Sequence, residues 1–190
     1  MASFDALTTD SFSPADIEVG LRAITWRWID RFIEFESGVR ATAIKRVGYN
    51  EGYRQDHFPG WPIMPASLIL EGMGQSGMLL SCEAIGYSQL VILAKVPRAR
   101  FYFDALPGDL LTYDVTLESI EPNGIAVSAV STVNGRLQAS ADILFARLAE
   151  KTPEETLHSM LELSQVLEVF EVGRTAAGRR LSIPERLARS

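Results

Sequence analysis

The chain has 190 residues, 47% hydrophobic and 22% charged, with a formal charge of −6. That length suits one globular domain with a substantial core, and the acidic balance argues against a nucleic-acid surface. The single cysteine, Cys82, excludes an internal disulfide framework and fits a reducing, cytoplasmic setting.

Residues 1–24 read as a lead segment. They have no basic stretch followed by an apolar one, so no signal peptide is expected. Ser13-Pro14 followed by Ala-Asp-Ile-Glu predicts a short helix start. Residues 25–36, TWRWIDRFIEFE, mix aromatic and β-branched side chains and predict a strand. Ser37-Gly38 turns into a second strand, VRATAIKRV, and residues 48–62 are loop-like. Residues 63–86 form the one long apolar segment. Val, Thr and aromatics are absent from residues 66–82, so the segment predicts a buried helix over about 65–86, entered through Pro65 and closed at Gly86. Pro65, Glu71, Gln75 and three glycines make a membrane span improbable.

Strand signals follow. VILAKV and RARFYF stand within residues 89–104, and Pro107-Gly108-Asp109 is a turn. LLTYDVTLES alternates, with Leu111, Tyr113, Val115 and Leu117 on one face. Pro122-Asn123-Gly124 and Asn134-Gly135 are hairpin signals before IAVSAVSTV and RLQASADILFARL. Four strands joined by tight turns predict an antiparallel meander, and with the helix an α+β fold. Residues 150–190 form a C-terminal tail, helical and acidic over 153–170 and arginine-rich beyond 173.

GMGQSG, residues 72–77, matches the dinucleotide-binding pattern G-x-G-x-x-G. The surroundings oppose that reading. No βαβ alternation follows, Lys95 stands near where the ribose-binding acid belongs, and Glu71 would repel a pyrophosphate. Small residues at 72, 74 and 77 fit a helix lying close to a sheet or to a ligand channel. Each glycine lowers helix propensity by ~1 kcal/mol relative to alanine, so a close approach is expected to compensate. No metal-ligand set is present and no cofactor is expected: the two histidines are far apart and no C-x-x-C occurs.

Glu71 is the only charged side chain between Trp61 and Cys82. An isolated carboxyl in a buried helix tends to stay protonated, and a neutral one can act as a general acid. Pairing with an arginine, or exposure at a helix edge, is the plainer alternative. His57 stands fourteen residues earlier in a stiff loop, DHFPGWP, and His158 lies in the tail.

The stretch HFPGWPIMPASLILEGMGQ resembles the signature of the 3-hydroxyacyl-[acyl-carrier-protein] dehydratases, H-F-P-G-x-P-[IV]-M-P-G-x-L-[IL]-[IL]-E-A-M-A-Q. The likeness extends from about Thr25 to Leu148, setting residues 25–149 as the catalytic domain. The resemblance implies a hotdog fold, a long central helix wrapped by an antiparallel sheet. It implies dehydration of a 3-hydroxyacyl thioester on acyl carrier protein to the trans-2-enoyl thioester. His57 corresponds to the base, Glu71 to the acid and the Ala66 N–H to the oxyanion donor. Phe58, Gly60, Pro65 and Gln75 fall on supporting or substrate-binding positions, and Arg98 and Arg100 on a carrier-docking strand. It further implies a homodimer, or a trimer of dimers, with His57 of one subunit facing Glu71 of the other. Glu rather than Asp at 71 favours dehydration without isomerisation.

The chain departs from the pattern at Ala66 for glycine, at Gly72 and Gly74 for alanines, and at Tyr102 and Phe103 where basic residues are usual. The last departure weakens the docking surface, a loss for which the arginines of 174–189 offer a substitute. The departures at 66 and 102–103, with the tail, leave the alternative of an accessory hotdog subunit that binds acyl chains without turnover, and since chain length follows from tunnel depth, a dehydratase of polyketide or other specialised chains is a second.

Overall fold

A computed structural model describes residues 27–55, 59–86 and 88–148. The expected lead-segment helix, the tail, His57 and Phe58 lie outside the described residues. The element order is β1 (Arg31–Glu36), β2 (Arg40–Arg46), a 3-10 turn (Gly52–Gln55), α1 (Ala66–Ala84), β3 (Val91–Phe101), β4 (Leu110–Glu121), β5 (Gly124–Val133) and β6 (Arg136–Arg147). The six strands form one antiparallel sheet in the order β1-β2-β4-β5-β6-β3. Helix α1 packs against β2, β3, β4, β5 and β6, so the sheet wraps the helix in the hotdog arrangement.

The wrapping follows from alternation. Leu111, Tyr113 and Val115 of β4, Ile125, Val127 and Ala129 of β5, and Ala141, Ile143 and Phe145 of β6 all point inward and are buried. They meet Leu68, Ile69, Met73, Leu79 and Leu80 of α1. Asn134 and Gly135 both take positive φ, 52° and 76°, which gives the β5–β6 hairpin a turn twisted like its strands. Helix α1 ends where the Gly86 N–H returns to Glu83 O at 2.9 Å.

The expected four-strand meander is corrected. Strands β4, β5 and β6 do form one, but β3 pairs with β6 and lies at the far edge. The Pro107-Gly108-Asp109 turn therefore closes no hairpin. Its backbone bonds instead to β2's end: Gly108 N–H to Val47 O and Val47 N–H to Asp109 O, both 2.9 Å. Met64 and Ala105 form an isolated bridge that carries the crossing past the start of α1. VILAKV and RARFYF merge into the single strand β3, through Pro97, with register shifts between Leu93 and Arg98. An edge strand tolerates a proline, whose missing N–H faces no partner strand.

The first predicted strand is shortened. Residues 27–30 are not strand, and β1 starts at Arg31. Trp28 and Ile29 are nonetheless buried.

Candidate active site

Helix α1 supplies the site its axis. Pro65 precedes it, extended at φ −54° and ψ 137°, and no side chain caps it. The helical ladder opens with Leu68 and Ile69 donating to Pro65 O, at 2.9 and 3.2 Å. The Ala66 N–H precedes that ladder, at the positive end of the helix dipole, on an exposed residue. Pro65 is buried beneath it, and Gly60 is exposed in the turn that follows the undescribed residues.

Glu71 is half-buried, not sealed in the core. Its Oε1 accepts from Gln75 Nε2 at 3.0 Å, one helical turn on. Gln75 Oε1 in turn accepts the backbone N–H of Trp28 at 2.9 Å. A backbone N–H can only donate, so it fixes which end of the Gln75 amide faces Glu71. The carboxyl is thus held by a side chain that is itself held by the segment before β1, 47 positions away. Among the described residues no arginine pairs with Glu71; Gln75 bonds it, and the carboxyl is half-buried.

Trp28 has supports of its own. Its ring lies 5.7 Å from that of Tyr53 and 6.0 Å from Lys45 Nζ. Lys45 Nζ also meets Glu51 Oε1 at 2.9 Å and Asp30 Oδ1 at 3.5 Å, with its side chain only 10% exposed. The Lys45–Glu51 pair ties β2 to the chain just before the 3-10 turn that leads toward residue 57.

The glycines behave as packing residues, as the sequence suggests. A Cβ on Gly72 would come within 2.6 Å of Tyr113 Cε2 and 2.8 Å of Trp28 O. On Gly77 it would meet Val127 Cγ1 at 3.1 Å, and on Gly74 Leu93 Cδ1 at 3.4 Å. All three positions face other elements of the fold, and G-x-G-x-x-G lies within the helix, not at a strand-to-helix turn.

Cys82 is buried on the same helix, and desolvation pushes its thiol up to about 12. Burial thus holds the thiol in its neutral form, which is not the nucleophilic one. Tyr113 is fully buried, and its pKa is raised by desolvation first, then by Asp30 and Tyr53. Its hydroxyl has no hydrogen-bond partner among the described residues. Arg98 and Arg100 are both exposed on β3, but Arg98 Nη2 is paired with Asp142 Oδ2 across the strands at 2.9 Å. Among the described residues no group of three His, Cys, Asp or Glu side chains is placed to hold a metal. No helix among them is long and apolar enough to cross a membrane.

Trp28, Lys45 and Tyr113 are the supporting residues that the sequence did not single out. Lys45, a charge in the otherwise apolar ATAIK stretch, was the only local signal.

Residues 23–142 match the FabA-like domain family. A 3-hydroxyacyl-[acyl-carrier-protein] dehydratase FabZ of Chloroflexus aggregans is 41% identical over 119 residues, 62% of this chain and 83% of the relative. The FabZ dehydratase of Klebsiella pneumoniae is 34% identical over 151 residues, 76% of this chain and 99% of the relative. Among solved structures, the smu.793 protein of Streptococcus mutans, bound to acetyl CoA, has a TM-score of 0.51 at 14% identity, covering 64% of this chain and 90% of that one. AziG of S. sahachiroi has a TM-score of 0.52 at 18% identity, covering 62% and 90%. These two likenesses concern the fold. With a six-stranded sheet around one helix and Glu71 held inside the matched segment, the chain belongs to the FabA-like domain family.

Proposed function

We propose that this protein dehydrates 3-hydroxyacyl thioesters carried on acyl carrier protein, with His57 as base and Glu71 as acid. The observation that carries the reading is the fixed Glu71–Gln75–Trp28 chain of hydrogen bonds. Gln75 occupies Oε1 of Glu71, which leaves Oε2 to hold a proton and face a leaving group. The relatives' shared activity supplies the substrate class.

His57 takes a proton from C2, and the electron pair of that C–H bond becomes the C2–C3 double bond. The C3–O bond breaks, and Glu71 delivers its proton to the departing hydroxyl, which leaves as water. Negative charge that builds on the thioester oxygen is met by the Ala66 N–H and the helix dipole. Positioned acid–base groups contribute ~10²–10⁴-fold and one oxyanion donor ~10²–10³-fold.

The active sites lie between two copies of the chain, His57 of one facing Glu71 of the other. Strand β3 supports this assembly. It is an open edge of eleven residues on which Ile92, Leu93 and Phe101 are 42%, 44% and 39% exposed. A long apolar edge is a hazard unless another chain covers it. Arg100, on the same strand, is the better carrier contact, because Arg98 is already engaged by Asp142.

The test is turnover of a 3-hydroxyacyl chain on carrier protein, read by enoyl absorbance, in wild type, Glu71→Gln and His57→Ala. Activity lost in both variants supports the assignment. A wild type inactive on carrier-bound and CoA-bound chains of several lengths sinks it, and moves the accessory acyl-binding subunit to first place.

A further inference from the structure

Three elements converge on Gly72. The Tyr113 ring comes up from β4, the Trp28 carbonyl comes across from the segment before β1, and both occupy space that a Cβ at 72 would need. The alanine that the dehydratase pattern carries at this position would not fit. Gly72 adjoins Glu71, and Trp28, whose carbonyl lies against Gly72, donates the N–H of its preceding peptide to Gln75. Gln75 then holds Glu71. The contacts therefore close a loop: the ring and the Trp28 carbonyl both meet at Gly72, the Trp28 N–H bonds Gln75, Gln75 bonds Glu71, and Glu71 adjoins Gly72 along the helix.

We propose that Tyr113 is a positioning residue for Glu71, its ring acting as the wedge that fixes Gly72 and the Trp28 backbone and so aims the carboxyl. The catalytic part of this inference rests on the dehydratase reading above. Tyr113 is wholly buried and touches no solvent, so its action is mechanical. The Trp28 indole lies against the Tyr53 ring and near Lys45 Nζ, which gives the residue an anchor besides its carbonyl's place at Gly72. Without the ring, space opens beneath Gly72 and the Trp28 carbonyl. The Trp28 N–H then withdraws from Gln75, and the half-exposed Glu71 carboxyl turns away. Displacements of this kind cost large factors in rate because reaction needs near-attack geometry. The phenolic hydroxyl plays no part in this, since it has no hydrogen-bond partner among the described residues.

The experiment compares wild type, Tyr113→Leu and Tyr113→Phe by two readouts. One is kcat and KM on carrier-bound 3-hydroxyacyl substrate. The other is the NMR signal of the Gln75 side-chain amide, assigned by its loss in Gln75→Met. Tyr113→Leu is expected to lower kcat at least tenfold with KM within about twofold, and to shift or broaden the Gln75 signal. Tyr113→Phe keeps the ring and is expected to leave both readouts at wild-type values. A folded Tyr113→Leu with unchanged kcat, or with an unmoved Gln75 signal, overturns the proposal. Should Tyr113→Leu fail to fold, Tyr113→Met is judged by the same criteria. A wild type with no dehydratase turnover removes the catalytic reading, and the Gln75 signal alone then decides whether Tyr113 holds the Gln75–Glu71 pair.

Discussion

The two halves of helix α1 do different work with similar sequence. Its first half leaves Ala66 and Ser67 exposed and Leu70, Glu71 and Gln75 half-buried, and its Gln75 links Glu71 to the Trp28 backbone. Its second half buries Leu79, Leu80, Ser81 and Cys82 and closes with Glu83 anchored to Ser37 Oγ and the Gly38 N–H of the β1–β2 turn. The carboxyl in the first half keeps solvent and a hydrogen-bond donor. The thiol in the second is stripped of solvent and locked in its neutral form. Surroundings, not residue type, decide which titratable group is available for chemistry.

Substitutions separate the halves. Glu71→Gln carries the largest effect: a loss of ~10²-fold or more in kcat, with the melting temperature nearly unchanged because the side chain is half-exposed. Steady-state kinetics beside a thermal melt checks both parts. Leu79→Ala does the reverse. It empties a fully buried site, so stability falls by ~2–5 kcal/mol while kcat per folded molecule holds. Denaturant titration with activity measured at saturating substrate reads that split.

The glycines sharpen the contrast. Gly72→Ala forces a methyl against the Trp28 backbone and the Tyr113 ring and is destabilising by ~1–3 kcal/mol from overpacking, less ~1 kcal/mol of helix propensity. Gly77→Ala meets the more yielding side chains of Val127 and Phe145, so its net change in unfolding free energy, read by denaturant titration, is within ~1 kcal/mol.

Cys82 gives a pH signature. Its thiol is raised from 9.0 in the open chain to about 12 in the fold, so the native state binds the proton more tightly. The stabilisation is complete below pH 9 and is lost as pH rises toward about 12. Between pH 8 and 10 the wild type is expected to lose more melting temperature than Cys82→Ala, and equal slopes would count against the buried thiol. The smallest effect belongs to Tyr113→Phe. It removes a buried hydroxyl that has no partner and is expected to raise stability by ~1 kcal/mol in chemical denaturation.

Much of this architecture is written locally. The helix was legible over 65–86 against an observed Ala66–Ala84, because composition and Pro65 mark it. The Asn134-Gly135 hairpin and the inward face of β4 were legible because turn chemistry and a period of two are properties of adjacent residues. The place of β3 was not. Nothing in VILAKVPRARF says that its partner lies beyond two further strands. The site divides in the same way. Glu71 and Gln75 are a helical turn apart and are visible in sequence, whereas Trp28 and Tyr113 reach them only through tertiary packing. The departure at Gly72 was visible, but its reason was a ring on another strand.

The late partner of β3 has a consequence during synthesis. Val91 pairs with Arg147, 147 − 91 = 56 residues later in the chain. At ~5–20 residues per second on the ribosome, an interval of roughly 3–11 s separates the appearance of β3 from that of its neighbour. For that time an apolar strand waits without its ladder. Pro97 in its middle has no N–H to donate, and so interrupts the continuous ladder on which two unfinished copies would aggregate.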